Sequence, residues 1–151
     1  MNRDYLVIVP TYNEITSIGI LLPQLLELNL DILVVDDGSP DGTADACRQL
    51  GLESGRIVVV ERKKKLGLGS AYQAGFKYGE DRGYKYLIEM DADGSHQVSD
   101  LRSLMVAMEQ EQPDLVIGSR WVSGGSVQNW ARSREWLSRA ANIYARLLLG
   151  G

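Results

Sequence analysis

Short apolar runs alternate along the chain with longer amphipathic stretches. The runs occupy residues 5–9, 32–35, 57–60, 86–88 and 115–117. They are rich in valine and isoleucine and lack interspersed polar residues, which is typical of strands buried on both faces of a mostly parallel sheet. We therefore predict five β-strands, with the stretches between them available for helices.

Four of the intervening stretches repeat apolar residues every three or four positions, which predicts amphipathic helices. Their apolar stripes are Ile18, Leu21, Leu22, Leu25, Leu26 and Leu28; Ala44, Cys47 and Leu50; Ala71, Ala74, Gly75 and Tyr78; and Leu101, Leu104, Met105 and Met108. Strands that alternate with helices through right-handed crossovers predict an α/β fold, a three-layer α/β/α sandwich with a mostly parallel sheet. No internal repeat or linker is found, so residues 1–151 are expected to form a single domain.

The last part of the chain follows a different pattern. We predict a loop over residues 119–129 and a helix over about 132–149, with one apolar side. Arg132, Arg139 and Arg146 recur every seven residues beside that side. No later element follows to cover it, so the chain is expected either to be truncated or to be a domain that awaits a partner. The helix is expected either to pack on protein or to lie on a membrane surface.

Composition and charge restrict the class of protein. Of the 151 residues, 44% are hydrophobic and 24% are charged, as in ordinary globular domains. The single cysteine, Cys47, makes no internal disulfide, and no apolar run approaches the roughly 18 residues of a membrane span. Together with the lack of a signal peptide, these features favour a cytoplasmic location.

The charge is unevenly distributed along the chain. The net charge of −4 argues against a general nucleic-acid binder. Residues 118–151 nevertheless carry five arginines and a single acid, Glu135. This imbalance indicates an anionic partner for that segment.

Polar residues cluster directly after the predicted strands, in segments 10–14, 36–39, 61–62, 91–93 and 118–120. In an open parallel sheet, ligands bind beyond the carboxyl ends of the strands. We therefore expect the five segments to converge on one pocket. The alternative is that Asp, Ser, Gly and Asn serve there as ordinary turn and capping residues.

The pair Asp91 and Asp93 is the sequence feature that points most specifically to a chemical role. Two carboxylates one residue apart, just beyond a buried strand, can reach one divalent cation if the chain turns. Hard cations such as Mg²⁺ or Mn²⁺ take oxygen ligands and bridge phosphates. His96, the single histidine, either orients a ligand beside Asp93 or caps the loop. With one histidine and one cysteine, a zinc site is not expected.

Asp36 and Asp37 also follow an apolar strand. A carboxylate at this position can accept hydrogen bonds from a nucleobase or a ribose. The alternative is a turn in which Asp41 or Thr43 caps the next helix, and the two interpretations are compatible.

A basic run over residues 62–65 precedes Gly67 and Gly69 at the start of a predicted helix. Glycine backbone at a helix N-terminus allows the close approach of a phosphate. Tyr72 occupies the last position of the three-glycine pattern of dinucleotide sites, which weakens that interpretation. A solvated basic turn is the alternative.

Four motifs in matching order resemble family-2 glycosyltransferases of the GT-A (nucleotide-diphospho-sugar transferase) fold. They are PTYNE at 10–14, DDGSPDGT at 36–43, MDADGSH at 90–96, and GSRWV at 118–122 with the following Gly124-Gly125. Within that family the chain is similar to polyprenol (dolichol) phosphate mannosyltransferases, which use GDP-mannose. Arg134 and Ser138, followed by Ala141-Asn142, extend the resemblance and favour the lipid-phosphate branch.

The resemblance implies a role for particular residues, with Asp93 and Arg120 at the catalytic centre. The guanosine would be held by Pro10, Tyr12, Glu14, Val35 and Asp37. The rest of the nucleotide sugar would meet Asp91, Ala92, Asp93 and Arg120, and the Mg²⁺ or Mn²⁺ ion would meet Asp91, Asp93 and Ser95. The acceptor phosphate would meet Arg120, Arg134 and Ser138. Asp91 and Asp93 are then expected to face Arg120 across a shared cleft.

The implied reaction transfers mannose from GDP-mannose to a polyprenyl phosphate with inversion. The partners would be the nucleotide sugar, the lipid and a membrane surface or membrane subunit, at the cytoplasmic face, with no nucleic acid. Relatives that transfer glucose from UDP-glucose share the strand-end motifs and remain an alternative, as does an inactive nucleotide-sugar-binding fragment. A receiver-type signalling domain fits less well, because the acid pair follows the second strand and the fifth ends in Arg120.

Overall fold

The computed structural model describes residues 4–119 and, further along the chain, Trp136, Ser138, Ala141 and Tyr144. The chain divides into two compact units, Met1–Arg102 and Ser103–Gly151. The first unit holds every strand that the structure describes.

The first unit alternates strands and helices in the predicted manner. The elements are β1 (Tyr5–Thr11), α1 (Ile15–Glu27), β2 (Asp31–Asp36), α2 (Thr43–Ser54), β3 (Ile57–Glu61), α3 (Leu68–Asp81) and β4 (Tyr86–Glu89). A further helix, α4 (Val98–Glu111), begins in this unit and continues into the second.

The four strands form one parallel sheet in the order β3-β2-β1-β4. The register aligns Thr11 with Asp36 and Asp36 with Glu61, so that β1, β2 and β3 end at the same edge. On the other side of β1, Ile8 pairs with Glu89. The predicted α/β class with a parallel sheet is therefore confirmed.

Helices cover both faces of this sheet. On one face, α3 packs on β1 and β2 in a core cluster of Leu6, Ile8, Leu33, Val35, Ala71 and Tyr72. On the opposite face, Gly51 of α2 lies against Ile57, and α1 packs on α2. Side chains alternate between faces along a strand, so the run Val7–Val9 is buried under both helical layers. These three layers explain why the strands show no polar alternation.

The approach of α3 to the sheet is close because two of its positions are glycine. A Cβ atom at Gly75 would lie 2.4 Å from Cγ2 of Ile8, and one at Gly79 would lie 2.3 Å from Cδ2 of Leu87. Any larger residue would push the helix away from β1 and β4. The position of α3 above the sheet is therefore fixed by the absence of these two side chains.

The prediction of a fifth strand over residues 115–117 is wrong. Residues 112–119 contain no strand, and none of the ladder pairs of the described residues involves them. Leu115 and Ile117 are 70% and 74% exposed. A short apolar run has strand propensity, but it forms a strand only where a neighbour supplies the ladder hydrogen bonds.

The described part of the second unit consists of the end of α4, residues 112–119, and four helical positions. Trp136, Ser138, Ala141 and Tyr144 are helical, as predicted for this segment. Trp136 and Tyr144 are 78% and 66% exposed. Among the described residues, no helix combines the length and the apolar character that crossing a membrane requires.

We expect Gly75→Ala to lower the free energy of unfolding by about 1–3 kcal/mol, because the new methyl group overpacks the contact with Ile8. Gly19→Ala is the matched control: this glycine of α1 is exposed, and a Cβ there meets nothing within 4 Å. That change should be neutral or stabilising by up to about 1 kcal/mol. Urea denaturation followed by circular dichroism measures both, and equal effects would contradict the close packing of α3.

Because the thiol of Cys47 is buried, we expect the free energy of unfolding to fall as the pH rises through the alkaline range. Burial, followed by the nearby carboxylates of Asp36 and Asp41, raises the pKa of Cys47 to about 11 from an ordinary value of 9.0. Between these two values the unfolded chain loses the thiol proton while the folded chain keeps it, so stability falls as pH rises. We expect Cys47→Ala to flatten this part of the pH–stability curve. An unchanged slope in urea titrations from pH 8 to 11 would contradict the assignment.

Candidate functional site

The carboxyl ends of β1, β2 and β4 meet at one edge of the sheet. The chain order runs outward from β1 through β2 to β3, and then returns to add β4 on the other side of β1. The gap between β1 and β4 is therefore the topological switch point, where open α/β sheets bind ligands. Continuing the register by two residues from the Ile8–Glu89 pair brings Asp91 level with Pro10.

Asp36 joins the ends of β1 and β2. Its carboxylate is fully buried and accepts hydrogen bonds from Thr11 Oγ1 at 2.8 Å, from Ser39 Oγ at 2.6 Å and from the Ser39 backbone N–H at 2.8 Å. Ser39 Oγ in turn accepts the backbone N–H of Asn13 at 2.9 Å. With three donors inside the protein, Asp36 holds the two loops together.

The loop after β2 also caps α1. Thr43 Oγ1 accepts the N–H of Glu14 at 3.0 Å, and Asp41 Oδ2 accepts the N–H of Ile15 at 3.2 Å. The N-cap residue of α2 is Gly42, so the prediction that Asp41 or Thr43 occupies this position is wrong. Asp41, one residue earlier, nevertheless accepts the first N–H of the helix, that of Thr43, through Oδ1 at 3.0 Å. The hydrogen bond from the Thr43 hydroxyl is the main cause that lowers the pKa of Asp41.

The residues expected to hold guanosine surround this edge in different environments. Tyr12 is partly exposed, and Lys65 Nζ lies 4.0 Å from the centre of its ring. Glu14 is half-buried and accepts a hydrogen bond from Ser17 Oγ at 2.8 Å. Pro10 is half-buried, whereas the side chain of Val35 lies in the core cluster. The aromatic face of Tyr12 is thus the accessible apolar surface in this group.

Asp37 forms a buried ion pair with Arg62, which follows β3. Nε and Nη2 of Arg62 both contact Oδ1 of Asp37. Oδ2 of Asp37 accepts the backbone N–H groups of Leu66 at 3.0 Å and Gly67 at 3.1 Å, and Arg62 Nη1 donates to Ser70 Oγ at 2.6 Å. The carboxylate therefore occupies the backbone N–H of Gly67, one of the two glycines that the sequence suggested for a phosphate.

Asp91 follows β4 and contacts α3. It is half-buried, and its Oδ1 accepts a hydrogen bond from Tyr72 Oη at 2.7 Å. From the residues that the structure describes, Asp91 Oδ2 accepts no hydrogen bond. Burial, and then the hydrogen bond to Asp91, raise the pKa of Tyr72 far above its ordinary value, so its hydroxyl stays protonated as a donor. Ala92, next in the chain, is buried.

Asp93 lies in an exposed turn. Its Oδ1 accepts the backbone N–H of Ser95 at 2.9 Å. Hydrogen bonds from Ser95 are the largest cause that lowers the pKa of Asp93, and the charge of the exposed His96 acts in the same direction. Asp93 is therefore an anion at neutral pH, and the interaction with His96 agrees with the predicted proximity of the two residues.

The donor set around Asp91 and Asp93 fits Mg²⁺ or Mn²⁺. Within residues 4–119 and the four later positions, no three His, Cys, Asp or Glu side chains gather into a complete protein site. Two carboxylates with a neighbouring Ser95 hydroxyl are hard oxygen donors. Mg²⁺ is commonly held by one or two carboxylates together with substrate phosphates, so this incomplete set suits a cation that arrives with a diphosphate.

Three expected site residues belong to the second half of the chain. Arg120 and Arg134 lie outside the described residues. Ser138 is helical and half-buried in the second unit. The segments that follow β1, β2, β3 and β4 thus lie at one edge of the sheet, while residues 112–117 form no strand before Gly118. Convergence of these segments on one pocket stays a prediction.

Sequence reasoning missed two residues that organise the site. The sequence places Arg62 both at a strand end and in a basic run, but it does not predict that the guanidinium is the buried partner of Asp37. Tyr72 was noted for interrupting a glycine pattern, but its hydroxyl binds Asp91. No local spacing signals a contact between residues 19 or 25 positions apart, so these partners emerge only in the folded chain.

Comparisons with known proteins relate the chain to one family. The model of glycosyl transferase family 2 matches residues 6–150. An undecaprenyl-phosphate mannosyltransferase of Micrococcus luteus is 49% identical over 147 residues, which are 96% of this chain and 60% of the relative. A polyprenol monophosphomannose synthase of Mycolicibacterium smegmatis is 49% identical over 148 residues, 96% of this chain and 56% of the relative. The chain thus spans less than two thirds of the length of these relatives.

One solved structure resembles part of the chain. It is the mannosyltransferase PcManGT from Pyrobaculum calidifontis in complex with GDP-Man and Mn²⁺, at 30% identity and a TM-score of 0.46. The match covers 52% of this chain and 25% of that chain.

We expect Asp37→Ala to lower the free energy of unfolding by about 3–5 kcal/mol, because it leaves the Arg62 guanidinium buried without its partner. The control is Asp45→Ala, which removes an exposed ion pair with Arg48 and should cost less than about 1 kcal/mol. Urea denaturation of both variants tests this difference. A cost for Asp37→Ala as small as that of the control would show that the buried pair does not hold the loop.

Proposed function

The chain belongs to glycosyl transferase family 2, and from this membership we propose that it is the nucleotide-sugar-binding part of a polyprenyl-phosphate mannosyltransferase. The observation that carries the proposal is the 49% identity, over 96% of the chain, to two relatives whose names state this activity. The reaction would transfer mannose from GDP-mannose to a polyprenyl phosphate with inversion at the sugar carbon.

We propose that the nucleoside is bound at the ends of β1 and β2. Tyr12 offers an accessible aromatic ring, and Lys65 beside it adds positive charge near the expected diphosphate. Pro10, Glu14 and the main chain at Val35 belong to the same edge. Asp37 acts here mainly by holding Arg62 and the loop before α3, since both of its oxygens already have partners inside the protein.

Asp91, Ala92 and Asp93 are proposed to meet the diphosphate and the sugar. Asp91 and Asp93, with Ser95, would hold the divalent cation. When bound, that cation neutralises the charge that develops on the leaving diphosphate. Hydrogen bonds from Ser95 lower the pKa of Asp93 further below neutrality, so they favour the charged carboxylate that cation binding requires.

The acceptor would require positioning rather than a general base. A polyprenyl phosphate is already anionic at neutral pH, so no side chain has to remove a proton from it. Arg120, Arg134 and Ser138 are proposed to align this phosphate through charge-assisted hydrogen bonds. Positioning and electrostatic stabilisation then supply the catalysis.

The chemistry of the acceptor also suggests where the protein works. A polyprenyl chain resides in a bilayer, so we propose that the protein acts in the cytoplasm at the cytoplasmic face of a membrane. Arg132, Arg139 and Arg146 provide the positive charge that anionic lipid surfaces attract.

We expect the chain to bind GDP-mannose in the presence of Mn²⁺ and to bind UDP-glucose more weakly. Asp91→Asn and Asp93→Asn should each weaken Mn²⁺-dependent binding by at least the roughly 10- to 100-fold that loss of a residue orienting a metal ligand costs, because each removes a charged oxygen donor. Isothermal titration calorimetry with and without EDTA measures these affinities. Asp81→Asn, which changes an exposed carboxylate at the end of α3, is the control.

A transfer assay separates the enzyme from a binding fragment. With radiolabelled GDP-mannose and a polyprenyl phosphate in detergent, label should enter the organic phase. Binding without transfer would favour the inactive fragment, and preferential binding of UDP-glucose would favour a glucose-transferring relative. The absence of any nucleotide-sugar binding would contradict the proposed function.

A further inference from the structure

Tyr72 connects the core of the sheet to the acidic pair after β4. The residue is 9% exposed, and its ring belongs to the core cluster on β1 and β2 and stacks on Phe76. Its hydroxyl donates to Asp91 Oδ1 at 2.7 Å. A phenylalanine would fill nearly the same core volume, so packing alone does not account for the hydroxyl group.

The hydrogen bond fixes how the Asp91 carboxylate is presented. A carboxylate at the end of a strand otherwise rotates about its terminal torsion, which has a broad energy profile. With Oδ1 held by Tyr72, the plane of the group is set, and Oδ2 accepts no hydrogen bond from the described residues. The bond therefore leaves one oxygen of a defined orientation for a ligand.

The helix that carries Tyr72 has little freedom to move. Gly75 packs closely against Ile8, with no room for even a methyl group between α3 and β1. At the start of α3, Asp37 holds the N–H of Gly67, and Arg62 donates to Ser70. A hydrogen-bond donor on an element held at several points orients its acceptor precisely.

We propose that Tyr72 is a positioning residue that orients Asp91 for the divalent cation and diphosphate of the nucleotide sugar. The inference rests on the proposed function, because it deepens the role of Asp91 in that site. Tyr72 acts through Asp91 and does not itself contact the ligand. Groups that orient metal ligands in this manner commonly contribute 10- to 100-fold to metal affinity.

The chain offers a matched control for this contact. Tyr84 Oη donates to Asp31 Oδ2 at 3.0 Å, where Asp31 is the first residue of β2. This is the same tyrosine–aspartate hydrogen bond at the amino-terminal edge of the sheet, away from the proposed site. Tyr84→Phe thus removes an equivalent bond without touching Asp91.

The test measures Mn²⁺ binding in the presence of GDP by electron paramagnetic resonance of the free ion, which needs no turnover. Tyr72→Phe should raise the apparent Kd for Mn²⁺ by about 10- to 100-fold, and Tyr84→Phe should leave it within about twofold of the unsubstituted chain. GDP binding in EDTA should be the same for all three. In the Asp91→Asn background, Tyr72→Phe should have no further effect, because its route of action is already removed.

A second variant keeps the hydrogen-bond donor while changing the residue. Replacing Tyr72 by 4-aminophenylalanine retains an N–H donor and should restore Mn²⁺ affinity toward that of the unsubstituted chain. Mn²⁺ binding by this variant tests the positioning role of Tyr72 even if circular dichroism shows that Tyr72→Phe fails to fold. A folded 4-aminophenylalanine variant that binds Mn²⁺–GDP as weakly as Asp91→Asn would overturn the positioning role.

The remaining outcomes are also decisive. Normal Mn²⁺ affinity in a folded Tyr72→Phe variant, or additive losses with Asp91→Asn, would overturn this inference and leave the proposed function standing. A failure of the unsubstituted chain to bind Mn²⁺–GDP would overturn the proposed function, and the role of Tyr72 with it.

Discussion

Two adjacent buried carboxylates at the end of β2 hold together the edge of the sheet where the site forms. Asp36 binds the loops after β1 and β2, and Asp37 binds Arg62 and the backbone before α3. A buried carboxylate is costly unless it is paired and hydrogen-bonded. Because both are fully engaged, the surrounding loops have one arrangement in which these charges are satisfied. The shape of the site follows from that requirement.

Helix α3 contacts groups on both sides of the switch point between β1 and β4. Its start is held by Asp37, its middle rests on Ile8 through Gly75, and its Tyr72 reaches Asp91 beyond β4. The helix thus spans the ends of the three strands that carry the proposed nucleotide and cation contacts. One rigid element can therefore set the positions of groups that come from distant parts of the sequence.

The accuracy of the sequence-based predictions differed between elements for identifiable reasons. The central strands β1 and β2 are buried at almost every position, and the outer strands β3 and β4 are partly buried. Burial of this kind leaves apolar runs that are easily recognised in the sequence. The run at 115–117 has the same composition but is exposed and unpaired. The amino-acid composition of a segment indicates its tendency to form a strand. Whether the strand forms also depends on hydrogen bonds from a neighbouring strand, which comes from another part of the chain.

The sequence by itself determined the α/β alternation, the positions of the strand-end motifs and the family, because these depend on local periodicity and on short motifs in order. Only the tertiary structure decided which oxygen of each carboxylate is engaged. It showed Asp37 occupied by Arg62 and backbone N–H groups, and Asp91 held by Tyr72. Hydrogen bonds between residues far apart in sequence depend on how helices and strands pack, and no local pattern encodes that geometry.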